Sequence, residues 1–191
     1  MEKAAARREI KRRLRNLTPR QRHEASERIR QNLAALPEYQ RAATVMLFVA
    51  LPDEIETLPI IRDALAAGKR VVLPKVDTRH HTMEAHLIED PDRDLAPGAM
   101  GILEPRDCPT VPHDQVDLVV VPARGFDRQG NRLGRGAGYY DRYMSRPGFR
   151  AVRCGVAHSL QVLDHLPHDP HDLPVDILVT EQGAMRFRRQ H

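Results

Sequence analysis

Short apolar runs recur along this 191-residue chain with helical or loop-like stretches between them, and that alternation restricts the fold more than any other feature. Residues 44–50, TVMLFVA, form a continuous apolar stretch with β-branched members, as a strand covered on both faces requires. Residues 58–67 are amphipathic and stop at Gly68, the pattern of a helix with a glycine just past its end, and residues 70–73 restart a strand. Such a strand–helix–strand unit implies parallel pairing. Three more apolar runs follow at 116–121, 151–157 and 175–180. One weaker strand, 84–88, lies inside a polar, proline-bearing segment that also holds His80, His81 and His86. The expectation is an α/β fold whose largely parallel sheet has about five or six strands.

Two helices precede the sheet. Residues 3–15 are rich in Ala, Arg and Lys, with Ile10 and Leu14 four apart as a thin apolar stripe. Thr18, Pro19 and Gln21 then spell a capping box with proline at the first helical position, and Ala25, Ile29, Leu33 and Leu36 follow at helical spacing. Residues 1–37 therefore read as a helical arm on a single domain of residues 1–191, a size at which a chain buries about 70% of its unfolded surface. The charge is lopsided, with 12 Lys and Arg against 5 Asp and Glu in residues 1–41, and 18 against 21 in the rest. A basic arm attracts the phosphates of a nucleic acid, a membrane or a nucleotide, or is simply a solvated helix face. No run approaches the roughly 18 apolar residues of a membrane span, and the charged start is unlike a signal peptide. Cys108 and Cys154 fit no zinc or CxxC spacing, which points to a reducing cytoplasm.

Ligands of open parallel sheets bind beyond the carboxyl ends of strands, so the loops after the apolar runs are where chemistry is to be sought. The loop ARGFDRQGNRLGRGAGYYDRYM holds Gly125, Gly130, Gly134, Gly136 and Gly138, five of the chain's 11 glycines, together with Arg124, Arg128, Arg132, Arg135 and Arg142. Closely spaced glycines let backbone amides approach an anion while guanidinium groups match phosphate oxygens. The loop is neither a Walker A motif nor a GxGxxG, and composition alone leaves a flexible surface loop open. YYDRYM starts a helix, whose N-terminal amides would add to an anion site and whose first turn places Asp141 to suit either the helix dipole or a Mg²⁺ ion. After the first strand, Asp53, Glu54 and Glu56 either accept hydrogen bonds from a heterocycle or neutralise the next helix, with Thr57 as its cap. In HLPHDPHDLPVD, His165, His168, His171, Asp169, Asp172 and Asp176 resemble a metal cluster, but their spacing favours a solvated loop. Asp176 opens a strand and so stands at a sheet end.

The run GFDRQGNRLGRGAGYYDRY resembles the signature of the 5-formyltetrahydrofolate cyclo-ligase family. The likeness extends through residues 3–7, LPDEIET, GKRVVLPKV, GILEP and HDLPVDILVTE, in that order. It implies a three-layer Rossmann-like domain of the NagB/RpiA/CoA-transferase kind. It also implies ATP- and Mg²⁺-dependent conversion of 5-formyltetrahydrofolate to 5,10-methenyltetrahydrofolate with release of ADP and phosphate.

Position by position, the resemblance implies that Lys3 and Arg7 contact ATP phosphates. Arg132, Leu133, Gly134, Arg135, Gly136, Ala137, Gly138, Tyr139 and Tyr140 match the nucleotide-binding loop, and residues 135–139 within it also face the folate. Val49 and Glu54 match positions that hold the pterin, Asp141 and Asp176 the magnesium carboxylates, and Arg132 and Arg135 the catalytic cations. Some relatives carry a long residue such as lysine at the place of Ala137, so only its backbone amide is available here. The implied partners are ATP and 5-formyltetrahydrofolate, polyglutamylated forms included, with no nucleic acid or membrane, in a monomer. No GxSxG or Cys/His pairing suggests a protein nucleophile, in keeping with catalysis by positioning and charge. Two other readings compete: a nucleic-acid-binding protein using the basic arm, and a folate- or nucleotide-binding relative without catalysis. Against the first stand the 4% aromatic content and the lack of tryptophan for base stacking.

Overall fold

The computed structural model describes residues 2–52, 54–98 and 101–187. The chain opens with α1 (Lys3–Leu14), α2 (Pro19–Ala34) and the short α3 (Pro37–Arg41). The expected capping box is formed: Thr18 Oγ1 accepts from the Gln21 N–H, and Gln21 Oε1 accepts from the Thr18 N–H. The first strand–helix–strand unit is β1 (Thr44–Met46), α4 (Leu58–Ala66) and β2 (Arg70–Asp77). Gly68 follows α4 at φ +77°, the left-handed conformation expected just past a helix end. β1 is shorter than its apolar run suggested. Only Leu47 continues its ladder, donating to Val72 O, and the Ala50 N–H is taken by the Thr57 hydroxyl.

The polar segment after β2 supplies β3 (Thr82–Ile88), α5 (Pro91–Asp94), the paired strands β4 (Leu95–Pro97) and β5 (Leu103–Pro105), and β6 (Thr110–Val111). Then come β7 (Leu118–Val121), β8 (Gly125–Asp127), β9 (Arg132–Leu133), α6 (Tyr139–Met144), β10 (Val152–Val156), β11 (Val162–Leu163), β12 (Ile177–Thr180) and β13 (Gly183–Arg186). The main sheet has eight strands in the order β13-β12-β10-β7-β1-β2-β3-β6, larger than the five or six expected. The five strands from β12 to β2 are parallel, while β13, β3 and β6 join antiparallel at the two edges. The parallel core matches the strong apolar runs. The extra strands are short or half-exposed, so period-two alternation is all they show in sequence.

Alternation along the central strands divides the core. Val45, Leu118, Val120, Ile177 and Val179 pack on the side of α2, α3 and α4. Met46, Val119, Val121 and Leu178 face the opposite way, against Tyr143 and Met144 of α6 and Phe126 of β8. Both faces are thereby covered, as a parallel sheet requires. α1 does not join either layer. Its Ala6 and Ile10 pack on Leu133, Leu163 and Leu166, around a small sheet of β11, β8 and β9. A Cβ on Gly125 would come within 2.8 Å of the Gln161 carbonyl oxygen and 2.3 Å of Ile10 Cδ1, so glycine lets the backbone and the helix side chain both approach closely there.

Candidate functional site

A cavity of about 430 Å³ opens where the parallel strands end. Phe48 and Val49 follow β1, Pro122 follows β7, and Leu73 and Pro74 are the middle residues of β2, just past its parallel pairing with β1; all line it. The glycine-rich loop forms the floor through residues 132–141, and α1 supplies Lys3 and Arg7. Gly136 and Gly138 have φ of +111° and +69°, so two of the alternate glycines hold backbone that side chains rarely adopt. α6 has only six residues and follows Gly138 at its N-cap, with no side-chain cap.

Charged groups tie the walls together. Arg7 donates from Nε and Nη2 to Gly134 O, at 3.3 and 3.0 Å, joining α1 to the loop. Arg135 Nη2 donates to Glu54 Oε1, which couples the loop to the segment after β1. Arg132, with 6% of its side chain exposed, donates from Nη2 to Asp141 Oδ1 at 2.6 Å, and Asp141 also accepts from the Leu173 N–H. Glu54 does not serve the next helix: α4 has no acidic residue in its first turn, and Thr57 does not cap it. Asp53 lies outside the described residues.

The structure brings Lys3, Arg7, Val49 and all of residues 132–141 to one cavity, with Glu54 reaching it through Arg135. Asp176 is the exception. It precedes β12 at the amino end of the parallel strands, and it is absent from the residues lining the cavity. Its carboxylate accepts from the Arg153 backbone N–H at 2.8 Å and from that guanidinium at 2.9 and 3.3 Å. Asp176 opens its strand, whereas ligands of parallel sheets bind beyond the carboxyl ends, so its place in sequence argued against the cavity and only the family resemblance had put it on the metal.

Sequence reasoning also passed over part of the wall. Leu73, Met83, Ile102 and Leu103 give the cavity an apolar side. Leu73 was findable, because a residue near the carboxyl end of a parallel strand is favourably placed; the others come from antiparallel and loop segments with no such signal. Asp169 and Asp172 line the cavity too, each 2.6 Å from Lys3 Nζ. Burial pushes the Asp172 carboxyl up, but hydrogen bonds from Lys3 and the Asp169 N–H outweigh it and leave it below its ordinary range. His165 and His168 are exposed, as a solvated loop would have them, whereas His171, though exposed, lines the cavity. Asp169, His171 and Asp172 place one ligand atom each within 4.8 Å of one another, but Lys3 takes up both carboxylates.

Comparison with known proteins finds the following likenesses. Residues 1–181 match the profile of the 5-formyltetrahydrofolate cyclo-ligase family. The 5-formyltetrahydrofolate cyclo-ligase of Mus musculus is 31% identical over 191 residues, covering 95% of this chain and 94% of that protein. The enzyme of Escherichia coli K12 is 32% identical over 174 residues, 90% and 96% of the two chains. The solved structure of Aquifex aeolicus 5,10-methenyltetrahydrofolate synthetase superposes with a TM-score of 0.87 at 36% identity, over 100% of this chain and 95% of that one.

Proposed function

The chain belongs to the 5-formyltetrahydrofolate cyclo-ligase family, and from that membership we propose how its residues carry out ATP-dependent closure of 5-formyltetrahydrofolate to 5,10-methenyltetrahydrofolate. One observation carries the assignment of residues: Lys3, Arg7, Arg132 and Arg135 converge from two distant segments on a single cavity that also has an apolar side. A triphosphate needs the first property and a pteridine the second.

A formyl oxygen is a poor leaving group. The γ-phosphoryl group of ATP therefore passes to it: the bond from phosphorus to the β,γ-bridging oxygen breaks, a bond to the formyl oxygen forms, and ADP is released. N10 then attacks the activated carbon, and the carbon–oxygen bond breaks. The departing phosphate takes the formyl oxygen and the N10 proton with it, leaving the methenyl bridge. In this scheme Arg7 and Lys3 hold the phosphate chain and Arg132 and Arg135 offset the charge of the phosphoryl group in flight. Glu54 orients the pterin beside Val49, and backbone amides of residues 133–140 complete the anion cradle. No side chain forms a covalent bond to substrate.

A Mg²⁺ ion held here would supply positive charge to offset that of the phosphates. Asp141 fits that task, since it lines the cavity with a carboxylate only partly engaged by Arg132 and Leu173. Asp176 does not fit it, because Arg153 engages both of its oxygens. Magnesium ions keep several waters and need only one or two carboxylates beside substrate phosphates, so Asp141 suffices.

The same reading makes the chain one domain of Rossmann-like kind, acting as a monomer in which Lys3, Arg7, Arg132, Arg135 and Asp141 already bring the charged groups the scheme needs to one cavity. A nucleic-acid role for the arm is disfavoured, because Lys3 and Arg7 face the cavity and Arg12, Arg13 and Arg20 pair with Glu9 and Glu24. Among the described residues no helix is long and apolar enough to cross a membrane, and Cys108 and Cys154 are free thiols, which suits a cytoplasmic setting. The test is direct: folded protein with ATP, Mg²⁺ and 5-formyltetrahydrofolate should develop the near-ultraviolet absorbance of the methenyl product. A flat trace refutes the reading.

A further inference from the structure

The run YYDRYMSR, residues 139–146, repeats a tyrosine followed three residues later by an arginine, and the fold uses both copies alike. Arg142 Cζ lies 5.1 Å from the centroid of the Tyr139 ring, and Arg146 Cζ 5.0 Å from that of Tyr143. Each guanidinium also donates to a backbone carbonyl around the start of β3: Arg142 Nε to His81 O at 3.1 Å, and Arg146 Nη2 to Met83 O at 3.0 Å. Four residues at the helical rise span about 6 Å and two strand residues about 7 Å, so the repeat fits alternate carbonyls of the strand. β6 pairs with β3 at Ala85 and His86, and the arginines take up carbonyls of the stretch that β6 leaves open.

The two arginines differ in their remaining bonds. Arg146 turns to the Glu84 carboxylate, on β3 itself. Arg142 reaches back into the glycine-rich loop, donating from Nη2 to Ala137 O at 2.9 Å. A Cβ on Gly138 would come within 2.9 Å of Arg142 Nη1, so a side chain there would displace the guanidinium. Arg142 is exposed and stands outside the residues lining the cavity, yet it bridges two of its walls. One is the loop floor at Ala137; the other is the β2–β3 hairpin, whose Val76 and Met83 line the cavity. His81, in the turn of that hairpin, is the one non-glycine residue with positive φ among the described residues, at +53°, and its carbonyl is the one Arg142 holds.

We propose that Arg142 is a positioning residue: it latches the loop at Ala137 to the hairpin at His81, and so holds the Gly138 amide in place for the phosphate chain. In a trans peptide the N–H runs antiparallel to the C=O, so a held Ala137 carbonyl fixes the direction of the Gly138 N–H. This rests on the cyclo-ligase reading above, which gives the loop amides that task.

The test compares Arg142→Ala, Arg142→Lys and Arg146→Ala with wild type. Thermal midpoint without ligands, kcat and KM for ATP are measured for each, with and without millimolar ethylguanidinium. Arg142→Ala should lower kcat/KM for ATP by about tenfold. Ethylguanidinium, which can enter so exposed a place, should restore part of that loss, and ethylammonium at the same concentration should not. Arg142→Lys keeps the charge, but a single ammonium lacks the planar fork that meets both carbonyls, so most of the loss should remain. Arg146→Ala should lower the midpoint and leave kcat/KM within about twofold of wild type. Wild-type kcat/KM in either Arg142 variant overturns the latch, as does a loss that Arg146→Ala shares or that ethylguanidinium fails to relieve. Wild-type protein that forms no product overturns the cyclo-ligase reading and the latch with it, whereas an active wild type with indifferent Arg142 variants overturns the latch alone.

Discussion

Arg135 Nη2 lies 2.5 Å from Glu54 Oε1, so a cation of the glycine-rich loop and a carboxylate 81 residues earlier neutralise each other across the cavity wall. In the proposed scheme a substrate arriving between them must exchange this contact for its own. Arg135→Ala is therefore expected to lower kcat by about 10²- to 10³-fold, the usual effect of removing one transition-state donor. Far-ultraviolet circular dichroism should be unchanged. An active variant would remove Arg135 from the mechanism.

The two metal carboxylates suggested by sequence should separate by experiment. Asp141→Asn is expected to shift the Mg²⁺ titration of activity to higher concentration. Asp176→Asn should leave that titration in place and instead weaken the hold on Arg153, at about 1.5–3 kcal/mol of stability, seen as a lower urea midpoint. A Mg²⁺ shift in the second variant would return Asp176 to the metal.

Lys3 is clasped by Asp169 and Asp172, and the Asp172 carboxyl sits below its ordinary value. A carboxyl depressed in the folded state contributes stability that is present above its unfolded pKa of about 4 and is lost as pH falls through its lower folded value. Docking of α1 should thus be insensitive to pH from 5 to 9 and loosen only in stronger acid. Proteolytic cleavage within α1 against pH reads this, and Asp172→Asn should raise cleavage at neutral pH.

His158 gives a change of stability at milder pH. Burial lowers its pKa despite Glu181 nearby, with Arg22 adding to the fall, and its Nδ1 accepts a hydrogen bond from the Leu160 N–H. Protonation removes that acceptor. Because the folded pKa lies below the unfolded one, stability is complete above about pH 6.5 and declines as pH falls, by at most about 1.4 kcal/mol per unit. Thermal midpoints at pH 8 and 5.5 should differ, and His158→Asn, which keeps an acceptor, should narrow the gap.

What could be read without coordinates was whatever chemistry writes locally. Thr18, Pro19 and Gln21 announce the start of α2 because a capping box is made by residues three apart. The parallel strands betray themselves by burial on both faces, and the glycine-rich loop by its density of Gly and Arg. Position along a strand was less legible: Leu47 to Ala50 are apolar because they pack on the core, Phe48 and Val49 also lining the cavity, which looks in sequence like more strand. The clasp on Lys3 was hidden for another reason. Asp169 and Asp172 acquire their partner only through the docking of α1, and no spacing rule reports contacts between the two ends of a fold.

That clasp joins residues 169 positions apart. During synthesis α1 precedes its partners by a wide margin: its apolar stripe finds Leu133, Leu163 and Leu166, and Lys3 its carboxylates, only once the chain has been extended through Asp172. Closing so long a loop is slow and comes late. Each nascent chain therefore carries an unsatisfied amphipathic helix while the intervening residues are made, which makes α1 the segment to watch for chaperone capture and for premature association between neighbouring chains on a polysome.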